Sequence, residues 1–404
     1  MLDEVCRRDK NFAGYRWSYF SSLGDGPLRS RAERFLESID WAALVRFVLA
    51  GRDGLECRLL PHIGLGQNHM VRVVEFADQV RWLARLRLPP LQESCAEARG
   101  TMESECRTMC FVQKESQIPV PRVHMIECDP DSSVGAQFML MDCLRGNSGI
   151  DLSLSLPPEH KLDVYSSMAK IQIEMFNIRL RKIGKIVGIN DDGSYRLGPL
   201  PTLGGPFDTA ADFFRAWSTK VEFGLPEDQL QNAAGSYASE ILSSMKTVKT
   251  LVHDNAERLS VYNEGPFPLC HGDFGHNNMV FDDEYHLLGV IDWETAYAGP
   301  CEMSGEFPLT ISIVPPAMDV PWKYDEAGYP KEAENRQKLT DRDDYVAIVK
   351  QIEAERGLTD GYSLSSALQA AKRQYLATAM RLFQRGKPGW YSKVMESFNH
   401  DQIT

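Results

Sequence analysis

The sequence predicts an α+β fold in which a small β-rich unit precedes a larger helical one. Three observations predict it: β-rich runs crowd residues 55–88, a polar helical stretch is cut off by the prolines of IPVPRV, and apolar residues recur at helical spacing beyond residue 160.

In chain order, residues 1 to about 50 read as a helical lead-in carrying RAERFLESIDWAALVRFVLA. The period changes at Leu55. LECRLL, HMVRVVEF and QVRWLARLRL are short and β-rich, the last two joined by a tight Ala77-Asp78 corner, so three antiparallel strands are expected. After Pro89-Pro90, TMESECRTMCFVQKES reads as a helix that stops where proline disfavours helix at its own position and just before it. VHMIE and AQFMLMD add two strands and run into LRGNSG, so five strands and one helix make the small α+β unit.

Beyond it, Val164, Met168, Ile171, Met175 and Ile178 fall at helical spacing, as do Leu364, Leu368, Ala371, Tyr375 and Leu382, the latter closed by Gly386 and Pro388. Asp192-Gly193 suggests a hairpin inside KIVGINDDGSYRLGPLPTLGGPF. The polar stretch from Asp319 to Asp344 reads as a surface loop.

Composition narrows the function classes. With 404 residues, 43% hydrophobic and 25% charged, the chain has the make-up of a globular protein. Its net charge of -12 argues against a nucleic-acid partner, which calls for a basic face. Nine scattered cysteines without a CxxC pair indicate neither a zinc site nor a disulfide framework. No apolar run approaches the roughly 18 residues of a membrane span, and the opening MLDEVCRRDKNF lacks a secretory apolar stretch, so no membrane contact and a cytoplasmic location are expected.

Residues 271–278 read HGDFGHNN and residues 289–293 read GVIDW, between flanks built for burial. Phosphoryl transfer from a nucleotide needs backbone amides over the phosphates, a fixed cation, magnesium on oxygen ligands and a carboxylate beside the acceptor hydroxyl. Asp273 supplies a carboxylate and Asn278 an amide oxygen. FDDEYHLLGVID brings back Asp292 on a hairpin. Magnesium is a hard ion that prefers such oxygens. A polar turn between two buried strands, with Asp and Asn satisfying backbone groups, is the plainer alternative.

HGDFGHNN followed by GVIDWE resembles the catalytic loop and metal motif of the aminoglycoside phosphotransferase (APH) family, the small-molecule branch of the protein-kinase-like fold. IDWAAL, WLARLRLP, IPVPRV, GPFDTAADFF and HGDFGHNN together resemble its fungal phosphotransferase-enzyme-family members, from about Ile39 to the C-terminal helices. The resemblance implies a bilobal kinase-like fold, with 1–50 as lead-in, 51–143 as a nucleotide-binding N-lobe and 144–404 as a catalytic and substrate-binding C-lobe. It implies an ATP- and Mg2+-dependent small-molecule kinase acting on an alcohol group. Asp273 would be the catalytic acid that takes the hydroxyl proton, and Asn278 and Asp292 would hold magnesium. His271 would shape the loop, while His276 is expected to be buried and satisfied.

Gly64 and Gly66 of IGLGQNHMV would cover the phosphates, and Arg85 would stand where kinases place a lysine, with Arg87 a competitor on the same face. Alternating with Trp82, Ala84 and Leu86, these arginines also fit a half-exposed strand. Glu105 matches the acid that orients the third-strand cation, and Met141 and Cys143, beside Asp142 and Leu144, would line the adenine site. Glu294, Glu302 and Glu306 either line an acceptor pocket for an amine-bearing substrate or are solvated surface. A pseudokinase that binds ligands or partners without turnover, or a nucleotide site serving another transformation, is the alternative reading, motivated by Arg85 and the short glycine loop.

Overall fold

The computed structural model describes residues 19–89, 95–148, 156–358 and 361–399. The opening stretch with Cys6, Pro90 after the third strand and the last residue of LRGNSG lie outside the described residues. Internal contacts divide the chain into two compact units, 1–164 with 276–295 and 165–275 with 296–404.

In the first unit, helix α1 spans Pro27–Ser38 and α2 spans Trp41–Ala50. Pro27 sits in the first turn, where its missing N–H is no loss. Asp40 of IDWAAL caps α2 by accepting from the Ala43 N–H at 2.8 Å, which contributes about 1 kcal/mol. The strands follow as β1 (Cys57–Leu65), β2 (His69–Phe76) and β3 (Arg81–Arg87). Between β2 and β3, the Phe76 N–H bonds to the Val80 carbonyl at 2.9 Å. Helix α3 (Cys95–Glu115) begins earlier than expected and gives way to β4 (Val123–Glu127) and β5 (Phe138–Asp142). All five strands pair antiparallel in the order β1-β2-β3-β5-β4.

Strand alternation decides which side chains the sheet turns to which layer. Met70, Val74, Trp82, Ala84 and Leu86 pack with Phe35, Leu44 and Val48 of α1 and α2 in one buried cluster. The helices of the lead-in are therefore part of this core, and each large side chain buried there contributes about 1.5–3 kcal/mol. Arg85 and Arg87, at the alternate positions of β3, leave that cluster to the apolar residues. Strands Met279–Phe281 and Leu287–Val290 form the expected antiparallel hairpin, with Asn147–Ser148 pairing along its other edge.

In the second unit, Thr209 of GPFDTAADFF caps helix Ala210–Lys220 by accepting from the Asp212 N–H at 3.1 Å. That helix packs against Ala238–Leu259, and Trp217 and Phe383 meet at 5.2 Å between ring centres. The Asp192-Gly193 hairpin is present as Lys185–Ile189 and Tyr195–Gly198, with Gly193 at φ +81, a conformation that glycine adopts without penalty.

Two expectations are corrected. The stretch 319–344 is not a loop throughout, because helix Ala333–Glu355 begins inside it and buries Asp341 and Arg342. The C-terminal apolar stripe is two helices, Leu364–Gln369 and Ala371–Gln384, separated at Ala370, whose ψ of 76 leaves the helical range. No helix among the described residues is long and apolar enough to cross a membrane.

Candidate active site

Arg85 is the centre of the first unit's polar cluster. Its Nη1 donates to Glu105 Oε2 at 2.6 Å and its Nη2 to Asp292 Oδ1 at 2.7 Å. The contacts form because α3 packs against the turn Trp293–Thr295, bringing the helix acid and the hairpin acid to one strand residue. Arg85 is only 9% exposed and Glu105 1%, so the half-exposed strand does not describe Arg85. Burial disfavours the Arg85 charge, yet Glu105, Asp292 and Glu294 outweigh it and hold the guanidinium protonated more firmly than usual. Arg87 turns instead to Glu294, donating through Nη1 to Oε2 at 2.9 Å. Spacing thus separates the two arginines by their acids.

Asp292 has φ 64, a left-handed conformation that costs a non-glycine residue about 1–3 kcal/mol and clusters at functional sites. Beside it, the Ile291 N–H bonds to the Asn278 carbonyl at 2.9 Å, so Asn278, itself buried, and Asp292 leave neighbouring stretches of backbone. An amide oxygen and a carboxylate are a donor set suited to a hard divalent cation.

His69, at the start of β2, was not singled out from the sequence. Arg85 Nη2 donates to its Nδ1 at 3.1 Å, which places the imidazole proton on Nε2, 3.9 Å from Glu294 Oε2. Burial first, then Arg85, Arg87 and Arg31, hold its pKa well below the ordinary histidine value, so the ring is neutral. His69, Asp292 and Glu294 also stand close enough to share a metal ion, but Arg85 and Arg87 already answer their carboxylates.

Gly64 pairs with Val71 near the end of β1, and the Gly66 N–H closes the turn on the His69 carbonyl at 2.8 Å. Two side chains tie this turn down: Arg31 Nη1 donates to the Gln67 carbonyl at 2.9 Å, and Asn68 Nδ2 to Glu294 Oε1 at 3.1 Å. Gly66 has no positive φ, and an added Cβ would meet only the His69 carbonyl at 3.7 Å, ordinary van der Waals contact. G66A is therefore expected to leave the melting temperature unchanged and to weaken nucleotide binding, which thermal melting and ATP titration of the same variant check. Of the two adenine candidates, Met141 is 4% exposed, while Cys143 is half-buried against Leu60 and Val73.

In the second unit, strand Leu269–Cys270 pairs with Tyr297–Ala298 and delivers HGD. Gly272 has φ +82 and so permits the turn between His271 and Asp273. His271 is 1% exposed, whereas His276, a residue of the first unit, is half-buried rather than buried. The Asp273 carboxylate, 27% exposed, is held by Arg385 Nη2. Immediately after it, the Phe274 carbonyl accepts from the Leu309 N–H at 2.8 Å, which attaches the loop to residues 306–312.

The three acids Glu294, Glu302 and Glu306 that follow Asp292 are not solvated surface. Glu294 is committed to Arg87 and Asn68, and Glu302, 2% exposed, accepts from the Val261 N–H at 2.9 Å. Burial pushes the Glu302 carboxyl up. Glu306 Oε1 accepts from Thr378 Oγ1 at 2.9 Å and from Arg381 Nη2 at 2.7 Å.

A family model described as the phosphotransferase enzyme family (APH) matches residues 64–302. The Clavilactone A biosynthesis cluster protein Y of Ampulloclitocybe clavipes is 24% identical over 286 residues, 66% of this chain and 67% of that protein. A subtelomeric hrmA-associated cluster protein of Aspergillus fumigatus is 29% identical over 94 residues, 23% of this chain and 18% of its own length. Among solved structures, the aminoglycoside phosphotransferase APH(4)-Ia in ternary complex with ADP and hygromycin B aligns with a TM-score of 0.47 at 14% identity, covering 90% of this chain and 99% of that one. The streptomycin-ATP complex of APH(2")-IIa aligns with a TM-score of 0.41 at 15% identity, covering 85% and 99%.

Proposed function

From the premise that the chain belongs to the phosphotransferase enzyme family, we propose that it moves the γ-phosphoryl group of ATP to a hydroxyl of a small molecule, with magnesium. In this reading residues 51–143 are the nucleotide-binding lobe and 144–404 the catalytic and substrate-binding lobe, and the protein works in the cytoplasm. One observation carries it: Arg85 joins Glu105, 20 residues away, to Asp292, 207 residues away, so a buried fixed cation, its buried orienting acid and a half-buried metal-type acid meet in one cluster. An ordinary polar turn needs no such convergence.

The roles follow from the donor groups. The Gly64–Gly66 turn offers backbone to phosphate oxygens, and Arg85, kept charged by its acids, binds them as a fixed cation. Asn278 and Asp292 would hold magnesium, which when bound supplies charge neutralisation between phosphates. Asp273 orients the acceptor hydroxyl and takes its proton. Met141 and Cys143 border the adenine ring. Asp292, whose Oδ1 accepts from Arg85, would offer its carboxylate to the cation.

Thermal melting tests the reading. Magnesium-ATP at 100 times its dissociation constant is expected to add about 2.7 kcal/mol to stability, visible as a raised melting temperature. No shift at millimolar nucleotide would remove the nucleotide site. A shift without ADP release in the presence of pooled alcohols would favour the pseudokinase, the reading that arginine in the lysine position motivates.

A further inference from the structure

We propose that the acceptor is an anionic hydroxy compound, recognised through a carboxylate, phosphate or sulfate group by Arg385 and Arg342; the inference rests on the phosphotransferase reading and names the substrate class of that same site. Two guanidiniums bind residues 306–312 of the second unit, and a third reaches Asp273 on the loop that this segment holds. Arg342 donates through Nε to the Ile311 carbonyl at 2.8 Å, Arg381 through Nη2 to Ser312 Oγ at 2.7 Å, and Arg385, one helical turn beyond Arg381, reaches Asp273. The Phe274–Leu309 backbone bond fixes that segment beside the catalytic loop.

Their charges are not balanced. Arg381 is answered by Glu306 and Arg385 by Asp273, but among the described residues no carboxylate pairs with Arg342. Arg342 is 9% exposed and its guanidinium lies over the Phe307 ring at 4.4 Å. Burial pulls its pKa down to about 10, against the opposing pull of Tyr375 and Glu306 and with Arg381 adding to burial, so it remains charged at neutral pH with no carboxylate in ion-pair contact. A buried guanidinium without a counter-ion is costly, and five donors in a planar fork match a carboxylate or phosphate. This occurs in a chain of net charge -12, where unpaired basic groups are not a consequence of overall composition.

The same residues disfavour an amine-bearing acceptor. Of the acids expected to bind one, Glu302 accepts from Val261 through one oxygen, and Glu306 accepts from Thr378 and Arg381. Arg385 also occupies the Asp273 carboxylate. An acceptor anion draws Arg385 to itself and frees Asp273 to take the hydroxyl proton, so the charge that selects the acceptor also readies the base.

The test uses three probes of one carbon skeleton that share a 1,2-dihydroxy end: glycerate, glycerol and 3-amino-1,2-propanediol, whose third carbon is a carboxylate, a hydroxymethyl or an aminomethyl group. Each is titrated into the full chain at constant ionic strength, followed by thermal melting without nucleotide and by ADP release with magnesium-ATP. Glycerate is expected to half-saturate at a concentration about tenfold below glycerol, with the amine weakest, as a charge-assisted pair implies. R385Q, at a half-exposed position, is expected to move glycerate to within about twofold of glycerol, and R342Q to act in the same direction. Equal binding of the three, a preference for the amine, or an R385Q variant that keeps the full glycerate advantage overturns the proposal. Absence of any magnesium-ATP effect refutes the phosphotransferase reading instead, and the nucleotide-free ranking then still decides whether an anion site exists.

Discussion

Asp273→Ala is expected to lower turnover by about 10²–10⁴-fold, the usual contribution of a positioned acid or base, while magnesium-ATP affinity stays nearly the same. The split follows from position. The carboxylate is 27% exposed and its partner Arg385 49%, so removing it leaves a guanidinium that water can solvate rather than a buried unpaired charge. The chain is expected to fold and to melt near the parent temperature. Asp273→Asn sharpens the test: it keeps the shape and an acceptor oxygen for Arg385 but cannot take a proton, so it should fall as far as alanine. Single-turnover kinetics with ATP titration measures both quantities. Near-normal turnover in either variant would remove Asp273 from the reaction, and a parallel loss of ATP affinity would make it a nucleotide contact.

The sheet was legible because its strands alternate and its buried face is apolar: Trp82, Ala84 and Leu86 point one way and Arg85 and Arg87 do not. Helix Ala333–Glu355 was not, because its buried side includes Asp341 and Arg342. Those polar residues are buried by specific bonds, to Tyr165 Oη at 2.9 Å and to the Ile311 carbonyl, which no periodicity reveals. The break at Ala370 carries no glycine or proline to mark it. In the candidate site, the family resemblance together with strand-to-helix spacing pointed to Arg85 and Glu105 as a pair, and the two are bonded. The contacts of Arg85 with Asp292 and of Arg385 with Asp273 span 207 and 112 residues, and only the folded chain displays them. Glu294 and Glu306 were ambiguous for the same reason: a carboxylate's use is decided by which arginine reaches it.

In the proposed reading, folding and function share the cluster around Arg85. Arg85→Ala is expected to cost about 3–5 kcal/mol of stability, because Glu105, 1% exposed, is left as an uncompensated buried charge, and to weaken ATP binding as well. The burial of both partners makes the folding cost large. Arg85→Lys keeps the charge, but a single ammonium cannot reproduce a fork that reaches Glu105 through Nη1 and both Asp292 and His69 through Nη2. Intermediate stability and intermediate ATP affinity are expected for it. The two effects separate in the double variant Arg85→Met with Glu105→Leu. Replacing both charges by apolar groups of similar length removes the orphaned carboxylate, so stability should recover by most of the loss, while ATP affinity should not recover at all. Urea unfolding and ATP titration of the single and double variants give the two readouts independently. Recovery of ATP affinity together with stability would reduce Arg85 to a structural ion pair and leave the phosphates without their cation.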